Sequence, residues 1–154
     1  MKNIEVVTYK NRLDYLIKII DSFPFDPEIR AHWARYLCVL ASGFLESSTR
    51  AILREYTNRS ASYYVVNYVE SKLKYFQNAK MHDIIDLTRE FNPQWAITIE
   101  SSVTDEQRDA VDSIVNNKNQ IAHGQNVGIS FVTMKTYYDR AIRVIELLEQ
   151  QCNP

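Results

Sequence analysis

The feature that most constrains the fold is a helical periodicity that continues without a break from Asp26 to about Thr57. The segment opens with an N-cap acid at Asp26, a proline at the first helical position and Glu28 in the first turn. Glycine at Gly43 costs up to about 1 kcal/mol relative to alanine in mid-helix, so we expect another helix to pack closely against it. The residues available for the core are Trp33, Leu37, Leu40, Phe44, Ala51 and Ile52.

Most of the remaining chain also has a helical pattern. A capping box, Thr104-Asp105-Glu106-Gln107, opens a helix that we expect to end near His123, with Gly124 as a left-handed stop. Only 3 glycines and 4 prolines leave little material for a turn-rich β fold. The other predicted helices are Val6 to Phe23, about 61–77, 81–91, a short one from Asn92-Pro93 through Ile99, and Thr133–Gln151, which follows a loop at 125–132. We therefore predict a single all-α domain over residues 1–154, an antiparallel helical bundle of long helices with short accessory helices.

A charged residue interrupts the apolar face of the helix that ends near His123. Lys118 lies inside a stripe at helical spacing. The stripe consists of Val111, Ile114, Val115, Ile121 and Ala122. Burying an ammonium alone is costly, so Lys118 needs a partner, a wet cleft or a bound anion. Alternatively, Lys118 reaches the surface from a core helix, beside a histidine whose ring is satisfied within the fold. The residues alone leave both interpretations open.

Two polar residues follow Lys118 in the run Lys-Asn-Gln-Ile-Ala-His-Gly at 118–124. Asn119 and His123 are four residues apart and share a helical face, so the amide can orient the imidazole or bind the same ligand. Lys118 and His123 are five residues apart, which is about 140° around a regular helix. They converge only if the helix distorts near Gly124, or if His123 of one copy faces Lys118 of another across a two-fold axis.

The run at 118–124 resembles the signature of HEPN domains, in which an arginine and a polar residue precede a histidine. Hydrophobic residues before the histidine and a glycine after it are also typical of that signature. The segment 41–50 and the final helix from Thr133 are similar to the RiboL-PSP-like branch of the superfamily, and the resemblance covers roughly residues 25–151. The motif arginine is replaced by Lys118, which keeps the charge but lacks the planar fork suited to phosphate.

In HEPN domains two motif helices meet at a dimer interface and line one cleft, so the resemblance implies a homodimer. It also implies metal-independent RNA cleavage that leaves a cyclic or 3′ phosphate. In that reaction His123 would be the general acid and base, Lys118 the electrostatic stabiliser and Asn119 the orienting residue. Glu46 and Arg50 would support the cleft. On spacing alone, however, these two residues are an ordinary ion pair on a helix surface.

Glu46 and the tyrosines lie at helical spacing, which places them on particular faces of their helices. Glu46 shares a stripe with Tyr36, Val39, Gly43 and Arg50, which we expect to face another surface, not identified from the sequence. The chain also has 10 tyrosines, whose rings can stack on bases. Their helical spacing leads us to expect most of them, including the pairs at 63–64 and 137–138, in the core or in an interface.

No other catalytic or binding pattern stands out. His32, His82 and His123 are far apart and show no HExxH or paired-cysteine spacing, so we expect no metal site. There is no GxGxxG, GxxxxGK[ST] or GxSxG motif, and we expect no cofactor. Cys38 and Cys152 are too few for a disulfide framework, and Cys38 is expected to be a small core residue in a reducing compartment.

Charge and hydropathy bear on the class of partner. The net charge is −1, with +4 over residues 1–80 and −5 over 81–154. This balance does not predict a broad basic face for long nucleic acids, but it permits a small anion-binding cleft or complementary contacts between copies. No window of 18 apolar residues exists and the first residues lack the apolar run of a signal peptide, so we expect no membrane partner and a cytoplasmic location.

The leading hypothesis is a homodimeric HEPN endoribonuclease that acts on RNA and resembles toxin or anti-phage defence nucleases. A cognate antitoxin or a neighbouring defence protein would be a further partner. The alternative is a non-catalytic HEPN module that binds RNA, nucleotide or a partner protein, because Lys118 replaces the usual arginine. A purely structural dimerisation domain is the third hypothesis.

Overall fold

Seven α-helices and no strand make up the protein, in a computed structural model that describes all of residues 1–154. The predicted all-α class is therefore confirmed. None of the helices combines the length and the apolarity that crossing a membrane requires. The helices are α1 (Ile4–Ser22), α2 (Pro27–Ser60), α3 (Tyr63–Leu73), α4 (Met81–Phe91), α5 (Pro93–Ser102), α6 (Asp105–Ala122) and α7 (Phe131–Cys152).

Capping interactions set most of the helix boundaries. Asp26 accepts the backbone N–H groups of Glu28 and Ile29 at the start of α2, and Thr104 forms the predicted capping box with Gln107 at the start of α6. The last helix begins two residues earlier than predicted because Ser130 Oγ accepts the Thr133 N–H at 3.1 Å. Other boundaries also differ from the prediction by two or more residues: α1 begins at Ile4, α2 continues to Ser60, α3 is confined to Tyr63–Leu73 and α5 reaches Ser102.

The long helix α2 lies at the centre of the bundle and packs against α1, α3, α6 and α7. Asn3, just before α1, donates a hydrogen bond from its side-chain amide to the Ala51 carbonyl of α2 and one from its backbone N–H to Glu149 of α7. Since the start of α1 thus lies beside the later parts of α2 and α7, α1 runs antiparallel to both helices. Asn153 Nδ2 donates to the Ile52 carbonyl at 3.0 Å, so α2 and α7 end together and run parallel. The short connection 123–130 returns the chain from α6 to α7 in the antiparallel sense.

Gly43 does not contact another helix, and the expectation of close packing there is wrong within one protomer. A Cβ atom built at Gly43 would meet no atom within 4 Å. The neighbouring residues Tyr36 and Val39 are 50% and 40% exposed. This side of α2 is therefore open, whereas Leu37, Phe44, Ala51 and Ile52 enter the core as predicted.

A buried carboxylate fastens the start of the chain to α7. Glu149 is 3% exposed and accepts the backbone N–H of Lys2 at 2.8 Å and that of Asn3 at 2.6 Å. We expect Glu149→Ala to lower the free energy of unfolding by about 2–4 kcal/mol, because it leaves buried donors without an acceptor. Urea unfolding followed by circular dichroism measures this. Glu146→Ala, one turn earlier on α7 with an exposed Arg143 partner, is the control and should change stability far less; equal effects of the two substitutions would contradict the prediction.

Candidate functional site

The end of α6 places the predicted motif at the boundary between helix and loop. His123 is the C-cap residue, and Gly124 has the left-handed φ of 71° expected of a stop residue. The Gly124 N–H donates to the Ile121 carbonyl at 3.0 Å and the Gln125 N–H to the Gln120 carbonyl at 2.9 Å. This pair of bonds is a Schellman motif, which satisfies the last carbonyls of the helix and turns the chain immediately after His123.

Lys118 lies where the apolar stripe of α6 leaves the core. Val111, Ile114 and Val115 are fully buried, whereas Ile121 is half-buried and Ala122 is exposed. Lys118 is half-buried between these two groups, and its Nζ donates to Asn78 Oδ1 at 2.6 Å. The ammonium therefore has a polar side-chain partner from another element, the segment between α3 and α4.

Asn78 links Lys118 to α2 and was not identified from the sequence. Its backbone N–H donates to Glu46 Oε1 at 2.7 Å, and its φ of 54° lies in the left-handed region. Asparagine adopts this conformation more readily than other residues with a Cβ. An asparagine in a short non-helical segment between two helices is the only local signal that pointed to it. We name these contacts the Glu46–Asn78–Lys118 network.

Cys38 lies beneath the same end of α6, as the small core residue that the sequence predicts. Its Sγ donates to the Ile114 carbonyl at 3.3 Å. Burial raises the pKa of the Cys38 thiol to about 11, while the backbone N–H and the charge of nearby Lys118 act in the opposite direction. Cys38 is therefore a protonated thiol at neutral pH, and it contributes packing rather than a nucleophile.

The side chains of Asn119 and His123 have no hydrogen-bond partner in the protomer. The Asn119 side chain is half-buried and His123 is exposed, and neither side chain forms a hydrogen bond. Only their backbones are linked, since the His123 N–H donates to the Asn119 carbonyl at 3.1 Å. Within one protomer, no hydrogen bond joins His123 to Lys118 or to the Asn119 amide.

Glu46 and Arg50 do not form the surface ion pair that their spacing permits. Glu46 contacts Asn78 instead, and Arg50 Nη2 donates to Ser47 Oγ at 3.3 Å. Arg50 also lines a cavity of about 130 Å³ with Arg54 and Lys74. Arg54 is neutralised there by Glu5 at 3.0 Å and Glu70 at 2.7 Å, whereas Arg50 and Lys74 have no carboxylate within ion-pair distance.

An open apolar groove lies between α1 and α2. It has a volume of about 470 Å³. Its lining includes Leu16, Ile19, Tyr36, Val39, Gly43 and Phe44. We call it the α1–α2 groove. Monomeric proteins rarely leave a large apolar surface uncovered, so the groove is a candidate contact surface. Tyr36, Val39 and Gly43 of the predicted stripe are thus left open within the protomer, whereas Glu46 of the same stripe contacts Asn78.

The residues that come together offer no metal site, because no three His, Cys, Asp or Glu side chains are grouped closely enough to hold an ion.

No curated protein and no solved structure matches the chain significantly. A family model does match: residues 6–154 fit the family described as RiboL-PSP-HEPN. HEPN domains often bind RNA and dimerise, and many are ribonucleases or act on nucleotides. The match covers nearly the whole sequence, and the chain therefore belongs to the RiboL-PSP-HEPN family.

Proposed function

We propose that this protein is a homodimeric, metal-independent endoribonuclease in which the α6 helices of two copies line one cleft. The observation that carries the proposal is the Glu46–Asn78–Lys118 network, which fixes a half-buried cation at the end of α6. A cation held by tertiary contacts can stabilise charge on a phosphate without first being reorganised. The exposed His123 at the end of the same helix supplies an imidazole, a side chain that can act as general acid and base.

The reaction that fits these groups is transfer of a phosphate ester within RNA. His123 accepts the proton of a ribose 2′-hydroxyl, whose oxygen attacks the adjacent phosphorus while the bond to the 5′-oxygen breaks. The leaving 5′-oxygen takes up a proton from the protonated His123 or from water, and the products are a 2′,3′-cyclic phosphate and a 5′-hydroxyl. Lys118 stabilises the negative charge that develops on the phosphate oxygens, and Asn119 orients the imidazole or the phosphate.

A second copy is part of the proposal because one α6 does not align its own groups. Lys118 and His123 are about 140° apart around a regular helix. A two-fold axis beside α6 lets His123 of one copy approach Lys118 of the other. The α1–α2 groove supports this arrangement, since its floor at Gly43 is open and lies on α2 one turn before Glu46. We propose that the groove forms part of the dimer interface.

We expect the protein to be a dimer at micromolar concentration and Gly43→Glu to be a monomer with an unchanged helical spectrum. The substitution keeps α2 intact, because a Cβ there meets nothing within 4 Å, but it places a charge in an apolar interface. Light scattering measures the mass. Ile97→Glu, at a 57% exposed position on α5, is the control and should remain a dimer. A monomeric wild type, or a Gly43→Glu dimer, would count against this interface.

The activity is tested by incubating the purified protein with a mixed RNA pool in EDTA. We expect cleavage that leaves 2′,3′-cyclic phosphate ends, and no cleavage of DNA, which lacks the attacking hydroxyl. Cleavage that stops in EDTA or acts equally on DNA would refute the mechanism.

The replacement of the motif arginine by Lys118 favours one competing function, a HEPN module that binds RNA, nucleotide or a partner protein without cutting. Absence of cleavage of any RNA would favour that function.

A further inference from the structure

The outer face of α3 and the residues just after it carry an unusual set of exposed rings. Tyr64 is 83% exposed, Tyr68 64% and Tyr75 72%. Tyr64 and Tyr68 are four residues apart and therefore lie on one side of α3, about 6 Å apart along its axis. We expected most tyrosines in the core or in an interface, and these three are not in the core of the protomer.

Unpaired cations lie among these rings. Lys72 Nζ is 5.5 Å from the centroid of the Tyr68 ring, and Lys74 Nζ is 5.0 Å from that of Tyr75. Neither lysine has a carboxylate within ion-pair distance, because the neighbouring Glu70 is engaged by Arg54. We call the set formed by Tyr64, Tyr68, Lys72, Lys74 and Tyr75 the α3 tyrosine surface.

The α3 tyrosine surface leads toward the candidate site. Tyr75 is three residues before Asn78, whose side chain accepts the hydrogen bond from Lys118. Lys74 also lines the cavity that contains the unpaired Arg50. Rings and free cations thus follow one another along α3 and the segment after it, as far as Asn78, whose side chain binds Lys118 of α6.

We propose that the α3 tyrosine surface binds single-stranded nucleic acid, with bases stacked on the tyrosine rings and phosphates beside Lys72, Lys74 and Arg50. Aromatic side chains bind bases of any sequence because every base has a π-face, and adjacent cations track the backbone. The identification of the natural strand as RNA rests on the proposed function. The bound strand runs along α3 toward the Glu46–Asn78–Lys118 network.

A protein is the competing partner for these rings, but the composition of the surface favours nucleic acid. Lysine is depleted at the buried centre of protein–protein interfaces, where aromatic and aliphatic residues dominate. Here two unpaired lysines lie directly against the rings, and the exposed aliphatic residue on this helix is Val65. Cations beside aromatic faces are the combination that single-strand binding uses.

Fluorescence anisotropy with a 5′-fluorescein oligothymidylate of about twelve nucleotides tests the proposal, because DNA binds by stacking yet lacks the 2′-hydroxyl needed for cleavage. We expect Tyr64→Ala and Tyr68→Ala each to weaken binding about tenfold. Tyr68→Phe keeps the ring and should bind as wild type. Lys72→Ala should reduce the salt dependence of binding by about one counterion. The altered side chains are exposed, so circular dichroism should be unchanged in all of them.

The outcomes separate this proposal from the proposed function. Tyrosine-dependent binding of the oligothymidylate without cleavage of any RNA supports the α3 tyrosine surface and refutes the ribonuclease. Cleavage of RNA with binding unaffected by either alanine substitution does the reverse. If the alanine variants leave binding unchanged but alter the mass measured by light scattering, the surface is a protein interface and the proposal is overturned.

Discussion

RNA cleavage by this protein should be lost in His123→Ala, with a fall of about a hundredfold or more. General acid–base catalysis contributes factors of this size, and no other group at the end of α6 can replace an imidazole near neutral pH. The side chain is exposed and forms no hydrogen bond in the protomer, so its removal should leave the fold unchanged. Cleavage of an end-labelled RNA in EDTA, with circular dichroism on the same samples, measures both quantities.

His82→Ala is the matched control for this substitution. His82 is also an exposed helical histidine, on α4, and its one ionic contact is with the adjacent Asp83. We expect His82→Ala to cut RNA as the wild type does. Cleavage that survives equally in His123→Ala and His82→Ala would come from a different group or from a contaminating nuclease, and it would remove His123 from the mechanism.

Lys118→Ala should lower the rate of cleavage by about tenfold or more, whereas Lys118→Arg should hold or raise it. In the proposed mechanism, alanine removes the charge that stabilises the reacting phosphate, and arginine restores the planar fork that binds phosphate through two hydrogen bonds. Asn78→Gly tests the positioning of the cation. Glycine accepts the left-handed φ of 54° but removes the amide that holds Lys118 Nζ, so we expect a smaller loss than in Lys118→Ala.

The control for the lysine series is Lys135→Ala, which removes a lysine of α7 whose partner, Asp21, is not part of the network. Single-turnover cleavage rates should be unchanged in it. If neither Lys118 variant alters an observed cleavage, the cation has no role in the reaction. If Lys118→Arg cuts no RNA either, the protein is better explained as a non-catalytic HEPN module.

Helix boundaries could be predicted wherever the deciding contact is local. The caps at Asp26 and Thr104 and the stop at Gly124 each depend on residues within about four positions, so the sequence displays both partners together. The end of α3 could not be predicted this way, because the helix stops at Leu73 with no proline or glycine nearby. The parallel course of α2 and α7 depends on which helices pack, which periodicity does not specify.

The candidate site was predicted only in part for the same physical reason. The anomaly at Lys118 is visible from its own helix, but Asn78 is 40 residues away and Glu46 a further 32, so no local pattern joins them. Helical spacing shows that Gly43 and the α3 tyrosines each lie on one face of a helix, but it does not show whether the same chain covers that face. That distinction requires the packed structure, in which both faces are open.

The two cysteines have a consequence for observing how the molecule opens. Burial raises the pKa of Cys38 to about 11 and that of Cys152 to about 12, so both thiols are almost entirely protonated at neutral pH. Alkylating reagents attack the thiolate and need access, and therefore react only after local unfolding. Cys38 lies under the end of α6 that carries Lys118, and Cys152 lies in the last turn of α7. Alkylation rates at these two positions thus measure separately the opening of the candidate site and the fraying of the last helix, with no label introduced.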